Sequence, residues 1–152
     1  MDLTDKVVVV TGGSAGLGEQ VCYEAAKRGA IVVTCARRIN LIGQVRERCS
    51  ELSGKDAYAF QLDIADPDSV EAVIEKIAAE VGDVDVLVNN AGFGLFDNFV
   101  DFDLDVAKNM FEVNVLGIMY FTQKIAISMV NNKSGHIFNV ASKAGANAFT
   151  TN

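Results

Sequence analysis

The sequence has 152 residues, half of them hydrophobic and 22% charged, the size and composition of one globular domain with a core of its own. Its formal net charge is -7, which disfavours nucleic acid as a partner, because nucleic-acid binders carry a basic face. Cys22, Cys35 and Cys49 are odd in number and lack Cys-x-x-Cys spacing; that pattern reads as reduced thiols in a cytoplasmic protein and excludes an obvious metal site. Apolar runs are short, as in Val7–Val10, so neither a leader nor a bilayer span is expected.

In chain order, strands are expected over Lys6–Thr11, Ile31–Cys35, Asp56–Gln61, Val84–Val88 and His136–Ala141. Helices are expected between them, near Gly16–Arg28, Leu41–Leu52, Pro67–Val81, Leu104–Phe111 and Val113–Asn131. The run Val7-Val8-Val9-Val10 is that of a parallel strand covered on both faces. Gly29 closes the first helix after Lys27 and Arg28. The third helix has the clearest signals. Asp66 is a good N-cap, Pro67 suits the first helical position, and Val70, Val73, Ile74, Ile77, Ala78 and Val81 fall on one face. Strands alternating with helices predict an α/β fold of right-handed βαβ units on a parallel sheet.

Between the first strand and the first helix lies Thr11-Gly12-Gly13-Ser14-Ala15-Gly16-Leu17-Gly18. Glycines let the backbone bend and let a ligand approach with no Cβ in the way. The helix start adds unpaired N–H groups and partial positive charge, which suit a pyrophosphate. Gly12, Ser14, Gly16, Leu17 and Gly18 are therefore the expected surroundings of a dinucleotide's phosphates; the plainer alternative is a tight turn whose glycines serve packing alone. The second strand ends in Thr34-Cys35-Ala36-Arg37-Arg38, with no carboxylate to bind a ribose 2′-hydroxyl. The guanidinium forks of Arg37 and Arg38 match a 2′-phosphate instead. Opposite charges about 4 Å apart near a surface attract by roughly 4 kcal/mol before desolvation. This wall is thus expected to prefer NADP(H) over NAD(H), unless the two arginines simply end a strand in water.

Four motifs occur in order: Thr11-Gly12-x-x-x-Gly16-x-Gly18, then Asn89-Asn90-Ala91-Gly92, then Asn114 within Val113-Asn114-Val115-Leu116-Gly117, then Asn139-Val140-Ala141-Ser142-Lys143-Ala144-Gly145. Together they resemble the short-chain dehydrogenase/reductase family. The resemblance implies a Rossmann-like, doubly wound parallel sheet of order 3-2-1-4-5 with ligands at the strands' carboxyl ends. It also implies Asp63, with Ile64 beside it, at the adenine; Asn90, Ala91 and Gly92 at the adenosine ribose and pyrophosphate; and Val113 near the nicotinamide ribose. Asp63 also reads as a turn or cap carboxylate, and Asn89 as a structural amide bonding neighbouring strands.

Members of that family work with a Ser–Tyr–Lys group and a supporting Asn. The tyrosine exchanges the proton, the lysine lowers its pKa, the serine orients the carbonyl and the asparagine holds a water. Ser142 and Asn114 match two of these positions; each alone reads as a strand-end serine or a helical amide. The tyrosine is expected about thirteen residues after Ser142, with the lysine four further along one helix face, which lies beyond Asn152. The chain is therefore expected to be a single domain, 1–152, forming the N-terminal part of an NADP-dependent oxidoreductase that lacks its acid/base pair and later strands. The whole would move a hydride between nicotinamide and a small carbonyl or alcohol. The alternatives are a non-catalytic dinucleotide-binding or regulatory module, and a dimerisation unit built on Val113–Asn131.

The pairs Tyr23/Lys27 and Tyr120/Lys124 share the Tyr-x-x-x-Lys spacing and are expected to be incidental helix-surface pairs. His136 is expected at the surface without a catalytic role. Phe93, Leu95, Phe96, Phe99 and Phe102 read either as a wall of an apolar substrate pocket or as packing in the core or between subunits. With later strands missing, Ile137–Val140 becomes an exposed apolar edge, which predicts a homo-oligomer or poor solubility.

Overall fold

A computed structural model describes residues 2–95, 97, 98 and 100–142. Strands β1 (Val7–Thr11), β2 (Ile31–Ala36), β3 (Tyr58–Gln61), β4 (Val86–Asn89) and β5 (His136–Asn139) form one parallel sheet in the order β3-β2-β1-β4-β5. Helices α1 (Gly16–Lys27), α2 (Ile39–Ser53), α3 (Pro67–Glu80), α4 (Leu104–Phe111) and α5 (Ile118–Asn131) connect them. The chain thus adopts the doubly wound, Rossmann-like architecture expected of its sequence.

The valine run explains the two layers. Successive side chains on a strand face opposite sides. Val7 and Val9 join Val33, Phe60 and Leu87 against Val70, Val73 and Ile77 of α3 and Phe121, Ile125 and Met129 of α5. Val8 and Val10 join Val32, Val86 and Val88 against Cys22, Ala25 and Ala26 of α1 and Val45 and Cys49 of α2. All three cysteines are free thiols buried in these layers.

Most expected elements stand within a few residues of their predicted bounds. Asp66 caps α3 by accepting from the N–H of Asp68 at 3.2 Å. Val70, Val73 and Ile77 are buried on its inner face, whereas Ala78 is exposed. The fourth strand runs Val86–Asn89 rather than Val84–Val88, and Asp85 leads into it: its N–H donates to the Val7 carbonyl at 3.0 Å and its carbonyl accepts from the His136 N–H at 2.9 Å. Its carboxylate accepts from the N–H of Val7 and from Lys6 Nζ, each at 2.9 Å.

Two expectations are corrected along the fourth and fifth helices. Val113–Asn131 is not one regular α-helix: α4 runs into a π-wound segment, Glu112–Gly117, and then into α5. This joins Leu104–Asn131 into a continuous rod of 28 residues, long and apolar enough to cross a bilayer by length and composition. Scattered polar residues such as Asn114 and Lys124 break the apolar run in the sequence, so only the unbroken winding reveals that length. The rod's Phe121, Ile125 and Met129 are part of the core on the sheet, while Leu116, Met119, Ile127 and Val130 are exposed. Strand β5 forms the outer edge of the described sheet, with all four residues exposed.

Candidate active site

A cleft of about 400 Å³ opens at the carboxyl ends of β1 to β4, where open α/β sheets bind ligands. Gly12, Ser14 and Ala15 line it from the turn after β1. Cys35, Ala36, Arg37 and Arg38 line it from the end of β2, Leu62, Asp63 and Ile64 from the loop after β3, and Asn90 to Phe93 from the loop after β4. Val113 closes one side from the π-wound segment.

The glycine turn is held to its neighbours by a dense set of bonds. Gly12 has φ +68°, and a Cβ there would lie 2.8 Å from the Cα of Ala91; a left-handed backbone and a close approach both demand glycine at this point. The N–H of Gly12 donates to the carbonyl of Cys35 at 2.8 Å. Asn90 Nδ2 donates to the carbonyls of Thr11 and Gly12 at 3.2 and 3.1 Å. Thr11 Oγ1, fully buried, accepts from the N–H groups of Asn90 and Ala91, both at 3.1 Å. The turns after β1 and β4 are therefore one rigid unit. The Asn90 Nδ2 group is occupied in building it.

Helices α1 and α2 begin at this cleft, after Ala15 and Arg38, and neither N-terminus has a side-chain cap. By contrast, α3 and α4 are capped by Asp66 and Asp103. The first N–H groups of α1 thus carry the partial positive charge of a helix start with no side-chain acceptor.

Arg37 and Arg38 stand exposed across from the glycine turn. Arg38 Nη2 donates to Ser14 Oγ at 2.9 Å, and Gln61 Nε2 donates to the carbonyl of Arg37 at 3.0 Å. Sequence reasoning misses Gln61; its one signal is a polar side chain closing a strand beside β2. Asp63 closes a turn beside the cleft. Its Oδ1 accepts from the N–H of Ala65 at 3.1 Å, as in an Asx turn, and it lines the cleft.

Other expected residues lie elsewhere. Leu17 is 60% exposed and lines a separate apolar groove with Val8, Val86, Val88 and Phe138, because α1 turns its second side chain away from the cleft. Gly16 and Gly18 do not line the cleft either. Gly18 serves packing: a Cβ there would run into the Gly12 carbonyl and Asn90 Nδ2. Asn114 sits behind the lining. Its Nδ2 donates to the Phe93 carbonyl at 2.8 Å and its Oδ1 accepts from the Phe93 N–H at 3.0 Å, so the side-chain amide clamps the loop after β4. Ser142 is exposed three residues past β5, and Lys143, Ala144 and Gly145 of its motif lie outside the described residues. Of the apolar set after Gly92, Phe93 lines the cleft, Leu95 is exposed, Phe102 is half-buried, and Phe96 and Phe99 lie outside the described residues.

A family model described as short chain dehydrogenase matches residues 6–152. The chain belongs to the short-chain dehydrogenase family. It is 38% identical over 147 residues to human "Dehydrogenase/reductase SDR family member 7", covering 95% of this chain and 43% of that protein. It is 32% identical over 149 residues to the fission yeast (Schizosaccharomyces pombe) "NADP-dependent 3-hydroxy acid dehydrogenase", covering 97% of this chain and 58% of that protein. The solved NAD+-bound xylitol dehydrogenase superposes with a TM-score of 0.92 over 98% of this chain and 57% of its own, at 23% identity, a likeness of fold. The chain spans about half the length of the curated relatives it matches.

The three tyrosines, Tyr23, Tyr58 and Tyr120, are engaged away from the cleft. Tyr23 donates to Glu19 at 2.8 Å, with burial and that carboxylate pushing its phenol up to about 12, while Lys27 pairs with Glu24. Tyr120 and Lys124 both bind Glu71 of α3, and Lys124 Nζ lies 5.1 Å from the Tyr120 ring centre. Tyr58 stacks on Phe60. None of the three lines the cleft. Asn89 is a strut: its Nδ2 donates to Thr122 Oγ1 and Asn139 Oδ1, both at 2.8 Å, joining β4, β5 and α5. His136 is exposed at the start of β5 and stacks on Phe138.

Proposed function

We propose that this chain is the cofactor-holding part of an NADP(H)-dependent short-chain oxidoreductase acting on a small carbonyl or alcohol. One observation carries the choice of cofactor: the wall facing Ser14 presents Arg37 and Arg38 and no carboxylate. The name of the fission yeast relative supports the same choice. The nicotinamide supplies the hydride when bound. In this reading the α1 N-terminus and the glycine turn hold the pyrophosphate, and the arginines hold the 2′-phosphate. Asp63 and Ile64 flank the adenine, Ala91 and Gly92 offer backbone to the ribose and pyrophosphate, and Val113 borders the nicotinamide ribose. Asn114 and Ser142 belong to the reacting end, Asn114 by fixing the Phe93 loop. Titration calorimetry of the purified chain should give NADPH a dissociation constant at least roughly tenfold below that of NADH, about 1.4 kcal/mol. Equal affinities would remove the arginine argument, and failure to bind either would remove the cofactor reading.

A second reading, a binding module without chemistry of its own, draws on the placement of Tyr23, Tyr58 and Tyr120 away from the cleft. The two readings part on turnover. NADPH oxidation against a panel of aldehydes and ketones is expected to show none for this chain alone, because none of its tyrosines lines the cleft, and measurable turnover would refute that expectation. The exposed β5 edge further leads us to expect self-association; a monodisperse monomer at high concentration by light scattering counts against it.

A further inference from the structure

The π-wound segment is fitted against the cleft at a single residue. Gly117 is buried, and a Cβ built there would collide with the Ile64 carbonyl and lie 2.9 Å from the carbonyl oxygen of Glu112. Both neighbours are backbone, so neither can swing aside as a flexible side chain could. The Glu112 contact comes from the π winding itself, which brings residues five apart into register. The Ile64 contact joins two walls of the cleft, since Leu62–Ile64 form one and Val113 the other. The Ile64 loop is braced: Asp63 Oδ1 accepts from the Ala65 N–H, and the Asp63 N–H donates to Ser69 Oγ at 3.0 Å. Three residues before Gly117, Asn114 clamps the backbone of Phe93, which lines the cleft as well.

We infer that Gly117 is a positioning residue: its missing side chain lets the π-wound segment seat on the loop after β3, and this sets where Val113 and, through Asn114, Phe93 stand in the cleft. The inference rests on reading the cleft as a nicotinamide dinucleotide site. A methyl at 117 must displace backbone, and the braced Ile64 loop leaves the π winding as the part that yields. Val113 and Asn114 then turn together, and the Asn114–Phe93 pair is lost. Ser14 is bonded by Arg38, and the Arg37 carbonyl by Gln61, partners that lie outside this segment. The damage therefore falls on the nicotinamide end of the ligand and spares the end that carries the 2′-phosphate.

The test is Gly117→Ala in the whole chain, titrated with NADPH and with 2′,5′-ADP, alongside amide hydrogen exchange at Phe93. NADPH affinity should fall at least tenfold, 2′,5′-ADP affinity should change less than twofold, and the Phe93 amide should exchange at least tenfold faster. A folded variant that keeps NADPH affinity within twofold, or loses both ligands equally, overturns the inference. Should the parent chain bind neither ligand, the cofactor reading falls, and unchanged exchange at Phe93 in Gly117→Ala would separately overturn the positioning role. If circular dichroism shows that Gly117→Ala does not fold, Asn114→Ala replaces it. That variant needs no extra room and should show the same selective loss of NADPH; full retention of NADPH affinity refutes the link through Asn114.

Discussion

Thr11→Val deletes one oxygen and keeps the shape of the side chain, which makes it a clean probe of how the two turns at the cleft are joined. Thr11 Oγ1 accepts from the N–H groups of Asn90 and Ala91 at 3.1 Å each. Its own donation to the Val88 carbonyl is 3.5 Å long and adds little. An N–H left without an acceptor costs about 1–3 kcal/mol when buried. Asn90 and Ala91 are half-buried, so water relieves part of the loss and the low end applies, about 2 kcal/mol for the pair. Valine fills the same volume, so no cavity contributes. For a domain of this size, 1 kcal/mol moves Tm by about 2–4 °C, which puts the expected fall at about 4–8 °C. Thr11→Ser is the matched control: it keeps the acceptor and gives up one buried carbon, about 1 kcal/mol. Urea unfolding followed by circular dichroism should rank the variants parent, serine, valine. A valine variant within about 0.5 kcal/mol of the parent, or more stable than the serine variant, would show that the oxygen does not join the turns.

Replacing both Arg37 and Arg38 with alanine should weaken NADPH by about 10- to 30-fold and flatten its salt dependence, an effect discounted for the exposure of both side chains; an equal loss for NADH by calorimetry would show that the arginines do not read the 2′-phosphate. Burial pushes the Asp85 carboxyl up, but the bonds from Lys6 and the Val7 N–H outweigh it and hold the group below the usual aspartate range. That contribution is present above the unfolded value of about 3.9 and disappears as pH falls through the lower folded value. Asp85→Asn should therefore be less stable than the parent at pH 7 and lose less stability below about pH 4; parallel urea midpoints across pH would contradict this. Burial pushes the Cys22 thiol up to about 12 and the Cys49 thiol up to about 11, and burial raises that of Cys35 as well. A thiol-disulfide colorimetric reagent at pH 8 should label none of the three in the native protein and all three in urea, and rapid native labelling would show that the layers open.

Features that depend only on near neighbours along the chain are legible in the amino-acid order. The valines of β1 announce a doubly covered strand because burial on both faces needs no periodicity. Asp66 and Pro67 announce α3 because a cap and a pre-set φ act within one turn. The glycine turn and the absence of a carboxylate after β2 are local as well. The π-wound segment is not legible in this way, because the backbone it meets is distant in sequence: Gly117 packs on the Ile64 carbonyl and Asn114 bonds the Phe93 backbone. Glu71 gives Tyr120 and Lys124 a partner from a different helix, which no i, i+4 pattern discloses. Thr11 reads as no more than the last residue of a strand, yet the loop after β4, 79 and 80 residues later, supplies two donors to its hydroxyl.

Taken by itself, the order of residues determined most of the element types and the strand–helix alternation of a parallel sheet, since turn chemistry and apolar period act over a few residues at a time. Tertiary structure alone decided which polar atoms remain available at the cleft. A side chain such as that of Asn90 or Asn114 bonds whatever backbone the fold brings beside it, and that backbone comes from a distant part of the chain.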